Sequence, residues 1–401
     1  MAAKTATPLF YFKRKHNNEV EGNMASILFS SFKSNSIDLK NRLIMAPLYL
    51  GYASEGGKVS RLMLDHYALM AKSGVSMVVV EAATVDFPLG SGSSTVLRAD
   101  TDEYLEGLSG LASVIKKEGA LACLQINHVG RFLPPGTTME KPVAPSAVLT
   151  MGQESRELLR EEIEGLVEKF ADAALRARKA GFDVVELHGG TGYLLSQFVS
   201  PRTNIRNDEY GGSAEKRRKF GLDVLAAVKS KIGDMPVGFR FLADEWLPDG
   251  LTLTESVPYA KVLEEAGVAY LSVMGGTYES FFLPDVVEKS KKDGYMTDLA
   301  AEIKKAVSVP VITAGRISTG TLAEDIINTE KADLIGLARV LWTDPEWPKK
   351  VKDGKDEEII HCDPGCGDAC MQMIMMGKPA FCIRWPAAKL KEWKAKARTN
   401  E

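Results

Sequence analysis

The chain has 401 residues, 45% of them hydrophobic and 26% charged, and its 50 basic and 53 acidic residues leave a formal net charge of -3. That length and composition exclude disorder, and they allow two or three ordinary domains or one large α/β barrel with extensions. The charge balance supplies no basic face for nucleic acid or an anionic membrane, and the longest apolar run, around residues 75–83, is far short of the ~20 residues that a membrane span needs. The expected partner is a small molecule.

Residues 1–25 include Lys13, Arg14 and Lys15, but no apolar stretch follows them. They read as an N-terminal extension rather than a secretory signal, and the chain as cytoplasmic. Short β-branched runs then recur at residues 42–46, 77–82, 121–127, 184–187, 236–241, 270–273, 311–313 and 334–336. Stretches of helical period lie between most of them, for example 161–180, 214–232, 254–266 and 298–306, and Gly181 and Gly267 suit left-handed helix ends. Eight alternating strands and helices imply a parallel sheet, and over about 300 residues they fit a closed (β/α)8 TIM barrel; an open doubly wound sheet is the alternative that spacing alone leaves. The barrel is expected over residues 26–355, followed by a cysteine segment and basic tail over 356–401.

Two loops and the tail carry weaker signals. Residues 90–95, Gly-Ser-Gly-Ser-Ser-Thr, lack the third glycine of a dinucleotide fingerprint and read as a flexible loop. Residues 344–355 read as a Pro- and Lys-rich helical turn, and the basic residues 389–398 as a solvated helix. Of the five cysteines, Cys123 stands alone in a strand and reads as core, while Cys362, Cys366, Cys370 and Cys382 fall within 21 residues. Without an export signal disulfides are unexpected, so the cluster reads as a metal or iron–sulfur site.

A barrel carries its chemistry at the carboxyl ends of its strands. Those ends deliver Ala46-Pro47-Leu48, Glu81-Ala82-Ala83, Gln125 to His128, His188 to Tyr193, Arg240-Phe241, Gly275-Gly276, Ala314-Gly315-Arg316 and Ala338-Arg339. Glycines and arginines at the seventh and eighth ends suit a phosphate, so a phosphorylated ligand is expected.

The segment from Gly181 through Glu186 and His188, then Gly192-Tyr193, then Phe198 through Pro201, Asn204, Arg206 and Tyr210-Gly211-Gly212-Ser213, resembles the signature of the Old Yellow Enzyme family of FMN-dependent ene-reductases. Asn41-Arg42 with Ala46-Pro47, Gln125 with His128, Gly130 and Arg131, residues 144–147, and Ala338-Arg339 before Asp344-Pro345 follow that family in order, so the resemblance covers roughly residues 26–350. The spacing Cys366-x3-Cys370-x11-Cys382 is similar to that of its iron–sulfur subgroup, which includes 2,4-dienoyl-CoA reductase and 2-enoate reductase.

The resemblance implies that Pro47, Leu48 and Ala82 line FMN, that Gln125 bonds its pyrimidine edge, and that Arg240 sits beside N1 and O2, where negative charge develops on reduction. It implies that Gly315, Ala338 and Arg339 hold the phosphate. Tyr193 would protonate the substrate carbon after hydride leaves flavin N5, and His188 would bond the substrate carbonyl; a His satisfied by backbone at a strand end is the alternative for His188. Thr191 stands where many members carry a second His or an Asn, which favours a thioester or other activated acyl substrate. Tyr49 stands where some relatives carry a cysteine, so no thioether to FMN can form, and this counts against an amine dehydrogenase.

Cys362-x3-Cys366 has one residue more than the family spacing, with Pro364-Gly365 to make the turn. A [4Fe–4S] cluster on the four cysteines is still the expectation. Structural zinc is the lesser alternative, since paired Cys-x2-Cys knuckles are missing, and unligated thiols are the third. Met371, Met373, Met375 and Met376 read as packing. A flavin together with a cluster implies that electrons enter or leave singly. Longer relatives carry FAD- and NAD(P)H-binding domains after the cluster, whereas this chain ends at Glu401, so the expected reductant is a separate electron-donor protein or partner subunit, or NAD(P)H at the flavin. The expected activity is an FMN and [4Fe–4S] ene-reductase of an α,β-unsaturated acyl compound, such as an enoyl- or dienoyl-CoA, in a homo- or hetero-oligomer. A dehydrogenase running in the oxidative direction and a non-catalytic electron-transfer subunit are the alternatives.

Overall fold

Eight parallel strands carry the core: β1 (Leu43–Met45), β2 (Met77–Thr84), β3 (Leu121–Asn127), β4 (Val184–Gly189), β5 (Val237–Asp244), β6 (Tyr270–Gly275), β7 (Val311–Thr313) and β8 (Leu334–Leu337). In this computed structural model, which describes residues 26–398, each strand pairs with the next, and β8 pairs with β1. Closure eliminates the open sheet. Every residue of β1, β4, β6, β7 and β8 is buried, as continuous apolar runs require when both faces of a sheet are covered.

Alternation within the strands sorts side chains into two cores. Met77 and Val79 of β2 point into the barrel with Ile44, Cys123, Val184, Tyr270, Ile312 and Leu334. Val78 and Val80 face outward, toward the helices. An antiparallel pair, Phe32–Lys33 with Asp38–Leu39, adds Ile37 and Leu39 to the inner core at the amino end of the barrel. Cys123 is fully buried, as expected.

The outer ring is α1 (Arg61–Lys72), α2 (Leu105–Lys117), α3 (Arg160–Lys179), α4 (Lys219–Ile232), α5 (Leu253–Glu265), α6 (Thr297–Lys304) and α7 (Gly320–Asn328). Local chemistry sets several ends: Ser60 caps α1 by accepting the Met63 N–H at 3.0 Å, and Thr319 caps α7 through the Leu322 N–H at 3.2 Å. Among the described residues no helix is long and apolar enough to cross a membrane.

Past β8 come α8 (Arg339–Thr343), α9 (Trp347–Lys352), α10 (Ala369–Met375) and α11 (Ala387–Arg398). The cysteine segment shares the barrel's outer core through Ala380, Phe381, Cys382, Trp385 and Trp393. The Ala380 N–H donates to Leu50 O at 2.9 Å, Tyr52 OH donates to Ala380 O at 2.8 Å, and Trp385 Nε1 donates to Trp342 O at 3.0 Å. This corrects the reading of the tail as a solvated helix. α11 presents lysines to solvent, but it buries Trp393 against Tyr52, His66 and Trp385, because one indole contributes more apolar area than the basic pattern reveals. The expected extension, residues 1–25, lies outside the described residues.

Candidate active site

Strand register builds a polar layer at the mouth of the barrel. Glu186 lies opposite Gln125, and Arg240 lies opposite both His188 and Ser272. Gln125 Nε2 donates to Glu186 Oε1 at 2.7 Å, and Tyr270 OH donates to Glu186 Oε2 at 3.0 Å. Burial raises the Glu186 pKa, opposed by the charge of Arg240 and by these two hydrogen bonds. With one amide N–H of Gln125 donated to Glu186, its Oε1 and its second N–H are left for other partners. Arg240 is fixed by Nη1 donating to Ser272 Oγ at 2.8 Å.

One cavity above this layer is lined by Pro47, Leu48, Ala82, Gln125, His188, Tyr193 and Arg240, so seven of the residues singled out in the sequence meet there. His188 is 8% exposed, and its Nδ1 accepts the Gly190 N–H at 3.2 Å. Burial, then the charge of Arg240, pushes its pKa down to about 3. The ring is therefore neutral with its proton on Nε2, a hydrogen-bond donor that does not carry charge. Backbone satisfies one nitrogen of His188, as in the alternative reading, and the other has no hydrogen-bond partner among the described residues.

Tyr193 precedes the short helix Leu194–Val199, and its phenol oxygen is 2.9 Å from that of Tyr278. Its ring stands edge-on to His188, with centroids 5.0 Å apart. The turn delivering it needs Gly192, which has φ +87° and where a Cβ would come within 2.9 Å of the Phe132 ring. Burial raises the Tyr193 pKa well above the usual phenol value, so it holds its proton.

Tertiary contact adds residues to this cavity that sequence reasoning did not single out as site residues: Glu81, Tyr278, Met371 and Ile374. The two last come from α10, so the cysteine segment forms a wall of the cavity. Tyr49, noted only for not being cysteine, lines it too and bonds Ser93 at 2.7 Å and Thr95 at 2.8 Å. The loop at 90–95, expected to be flexible, is thus a bracket for Tyr49. Its serine and threonine hydroxyls were the available signal.

A second cavity shares Arg240 and is lined by Gly315, Arg316, Ala338, Arg339, Tyr295 and Cys362. Gly315 has φ +106°, and a Cβ there would stand 3.0 Å from the Tyr295 ring. Arg316, itself at φ +51°, donates to Cys362 O at 2.8 Å and to Ser290 O at 2.9 Å. Arg339 donates to Asp368 Oδ1 at 3.2 Å. Three guanidinium groups on one cavity fit an anion. Arg316 is visible in the sequence beside Gly315, but the family resemblance does not single it out among the ligand-holding residues.

The four cysteines gather at this end of the barrel. Burial raises the Cys362 and Cys370 pKa values; Arg339 opposes this at both and Arg316 at Cys362, while neighbouring thiols add to it: Cys382 and Cys366 at Cys362, and Cys362 and Cys366 at Cys370. Cys382 is buried, with Thr343 Oγ1 at 3.5 Å. Among the described residues no three His, Cys, Asp or Glu side chains are arranged to hold a single metal ion. The donor set is four thiols, two of them, Cys362 and Cys370, beside an arginine, and four thiolates are the ligands that an iron–sulfur cluster takes.

Residues 27–358 match the model of the NADH:flavin oxidoreductase / NADH oxidase family. The chain belongs to the Old Yellow Enzyme family. Its barrel is that of a flavin-dependent oxidoreductase with FMN as cofactor, and the residues present fit that group: an amide and a guanidinium of the polar layer line one cavity, next to an arginine-lined anion cavity.

Over 347 residues this Old Yellow Enzyme family member is 45% identical to an NADH oxidase from Thermoanaerobacter brockii, a match covering 84% of this chain and 53% of that protein. Among solved structures, 2-naphthoyl-CoA reductase in complex with 2-naphthoyl-CoA superposes with a TM-score of 0.85 at 28% identity, covering 92% of this chain and 58% of the other. Histamine dehydrogenase from Rhizobium sp. 4-9 superposes with a TM-score of 0.81 at 27% identity, covering 91% and 53%. The chain spans about half the length of the NADH oxidase and of a second curated relative that it matches.

Proposed function

We propose that this protein is an FMN-dependent reductase of the C=C bond of an α,β-unsaturated acyl compound, with a CoA thioester as the preferred substrate class. The observation that carries the reading is the meeting of a neutral imidazole donor, His188, and a protonated phenol, Tyr193, in the cavity that also holds Gln125 and Arg240. FMN, when bound, supplies hydride chemistry. Pro47, Leu48 and Ala82 would line its ring and Gln125 Oε1 would accept a ring N–H. Arg240 would place a fixed cation where negative charge develops. Gly315, Ala338 and Arg339, joined by Arg316, would hold the phosphate.

Toward the substrate, His188 Nε2–H would donate to the carbonyl oxygen and polarise the conjugated alkene. Tyr193 would deliver the proton to carbon, with Tyr278 holding its phenol at 2.9 Å. Thr191 leaves the oxygen clamp with His188 as its side-chain donor, which suits an already activated thioester, and the naphthoyl-CoA complex supports an acyl-CoA in a barrel of this shape.

Cys362, Cys366, Cys370 and Cys382 would hold a [4Fe–4S] cluster, which supplies one-electron exchange when bound. NAD(P)H is the proposed reductant, in keeping with the NADH oxidase relative; an electron-donor protein or partner subunit is the other source. The histamine dehydrogenase neighbour favours an amine-oxidising alternative, but Tyr49 offers no thiol for a covalent flavin. Anaerobic purification with quantitation of FMN, iron and sulfide, followed by a screen of enoyl-, dienoyl- and arenoyl-CoA against amines, tests the proposal. Absence of FMN overturns it, and turnover of amines alone selects the alternative.

A further inference from the structure

Glu186 belongs to the segment that carries the family resemblance, yet nothing in the chemistry above gives it a role. It is fully buried. Register sets it level with Gln125 of β3 and Gly238 of β5, and sets Gly238 level with Tyr270 of β6. A Cβ at Gly238 would fall on the Tyr270 ring, so the bare position lets that ring cross β5 and bring its hydroxyl to Glu186. The result is a belt of three side chains spanning four strands: Gln125 Nε2 donates to Oε1 at 2.7 Å, and Tyr270 OH donates to Oε2 at 3.0 Å.

Arg240 lies two residues beyond Gly238 on the same face of β5, one layer nearer the mouth. Glu186 is the carboxyl group whose charge acts on it; the other groups that do so are the phenols of Tyr295 and Tyr270. Buried charges persist in pairs. Burial pushes the Glu186 pKa up, but Arg240 and the two donors aimed at its oxygens each favour the charged form, so Glu186 is the countercharge of Arg240. A carboxylate has acceptors and no donor, so Gln125 must turn its NH2 group, not its carbonyl, toward Oε1. Glu186 is not among the residues lining either cavity, whereas Gln125 and Arg240 are.

We propose that Glu186 is a positioning residue of the flavin site: by holding one N–H of Gln125 it fixes which end of that amide meets the ring, and by carrying the countercharge of Arg240 it sets the reduction potential of the bound flavin. The inference rests on the flavin reading of the cavity. With Glu186 charged, it and Arg240 sum to zero. Without that charge Arg240 is uncompensated, and negative charge developing on the ring is stabilised more strongly. Reach and charge are separate roles, and substitution separates them. Gln has the reach without the charge, and Asp has the charge without the reach.

The test measures binding of oxidised FMN to the apoprotein by quenching of flavin fluorescence, and the midpoint potential of the bound flavin by dye-coupled titration, in the wild type and both variants. Glu186→Gln keeps an acceptor for Gln125, so oxidised FMN should bind no more weakly than to the wild type. Its ratio of affinities for reduced and oxidised flavin should rise by about tenfold, about 30 mV more positive for a two-electron couple. Glu186→Asp draws the carboxylate back by one methylene, so oxidised FMN should bind about fivefold more weakly, the loss of one hydrogen bond, with the potential unchanged. A purely structural role would weaken binding in both variants and shift the potential in neither. An unshifted potential in Glu186→Gln, or wild-type affinity in Glu186→Asp, overturns the inference while the flavin reading stands; Glu186→Asp, which retains the buried charge pair, keeps it refutable where Glu186→Gln does not fold. A wild type that binds no FMN overturns the flavin reading itself.

Discussion

Replacing Tyr193 by Phe removes one oxygen atom and keeps a ring that meets Phe132 and His188 edge-on, at 6.4 and 5.0 Å between centroids. The hydrogen bond lost is the one to Tyr278 at 2.9 Å. A neutral bond of this kind contributes about 1 kcal/mol net, so the fold is expected to survive. The kinetic effect is far larger. A positioned general acid contributes about 10²–10⁴-fold, or about 2.7–5.4 kcal/mol of barrier. The two half-reactions separate the roles: stopped-flow reduction of the flavin by NADH, then reoxidation by an enoyl-CoA without oxygen. Reduction should proceed at the wild-type rate, and reoxidation should slow by about 100-fold or more. Reoxidation at the wild-type rate in a folded variant refutes the assignment of Tyr193 as acid. Equal slowing of both halves would show that the residue holds the flavin rather than protonating substrate.

Arg316→Ala combined with Arg339→Ala should weaken FMN binding by about 100-fold, because two charge-assisted hydrogen bonds to the phosphate disappear, with riboflavin affinity unchanged; equal effects on both ligands in a fluorescence titration would place the phosphate elsewhere. Met371→Ala and Ile374→Ala, in the wall supplied by α10, should shift KM toward bulkier acyl groups while leaving the rate of flavin reduction alone, and a steady-state comparison of short- and long-chain enoyl-CoA esters checks this. His66 lies among Tyr52, Tyr67 and Trp393 with neither nitrogen hydrogen-bonded, and burial, then the charge of Lys389, pushes its pKa to about 3. The unfolded chain takes up a proton near pH 6.5 that the folded chain refuses, so this contribution is whole above pH 6.5 and lost as pH falls toward 3. His66→Phe should reduce the pH slope of the unfolding free energy between pH 6 and 4 by one proton, about 1.4 kcal/mol per pH unit, and an unchanged slope in urea titrations at those pH values would refute it.

The eight strands were legible because their signal is local: a β-branched run such as 77–80 stays a strand wherever it pairs, and Gly181 ends α3 whatever α3 packs on. The set of candidate residues was legible for the same reason, since a parallel barrel presents every strand end on one face, and Pro47, Gln125, His188 and Arg240 are strand-end residues. The family resemblance supplied Tyr193, whose turn is also local. What the chain order hides is which side chains meet. Tyr193 and Tyr278 lie 85 residues apart, and Tyr52 and Ala380 lie 328 apart; their hydrogen bonds exist only once the barrel closes and its tail folds back over α1.

The same distinction explains the tail and the loop, where expectation and structure differ. Lysine spacing in residues 389–398 describes the solvent face of α11, whereas the burial of Trp393 depends on a slot between Tyr52 and His66 that only the packed fold creates. The tertiary structure likewise decided that α10 walls the cavity and that Oε1 of Glu81 is left without a partner. By itself the sequence determined the barrel, the family and seven of the residues that line the cavity above the polar layer, because these follow from periodicity and from motifs within a few residues of one another. Burial, hydrogen-bond satisfaction and the protonation states of His188 and Tyr193 depend on the sum of distant neighbours, and no local pattern encodes that sum.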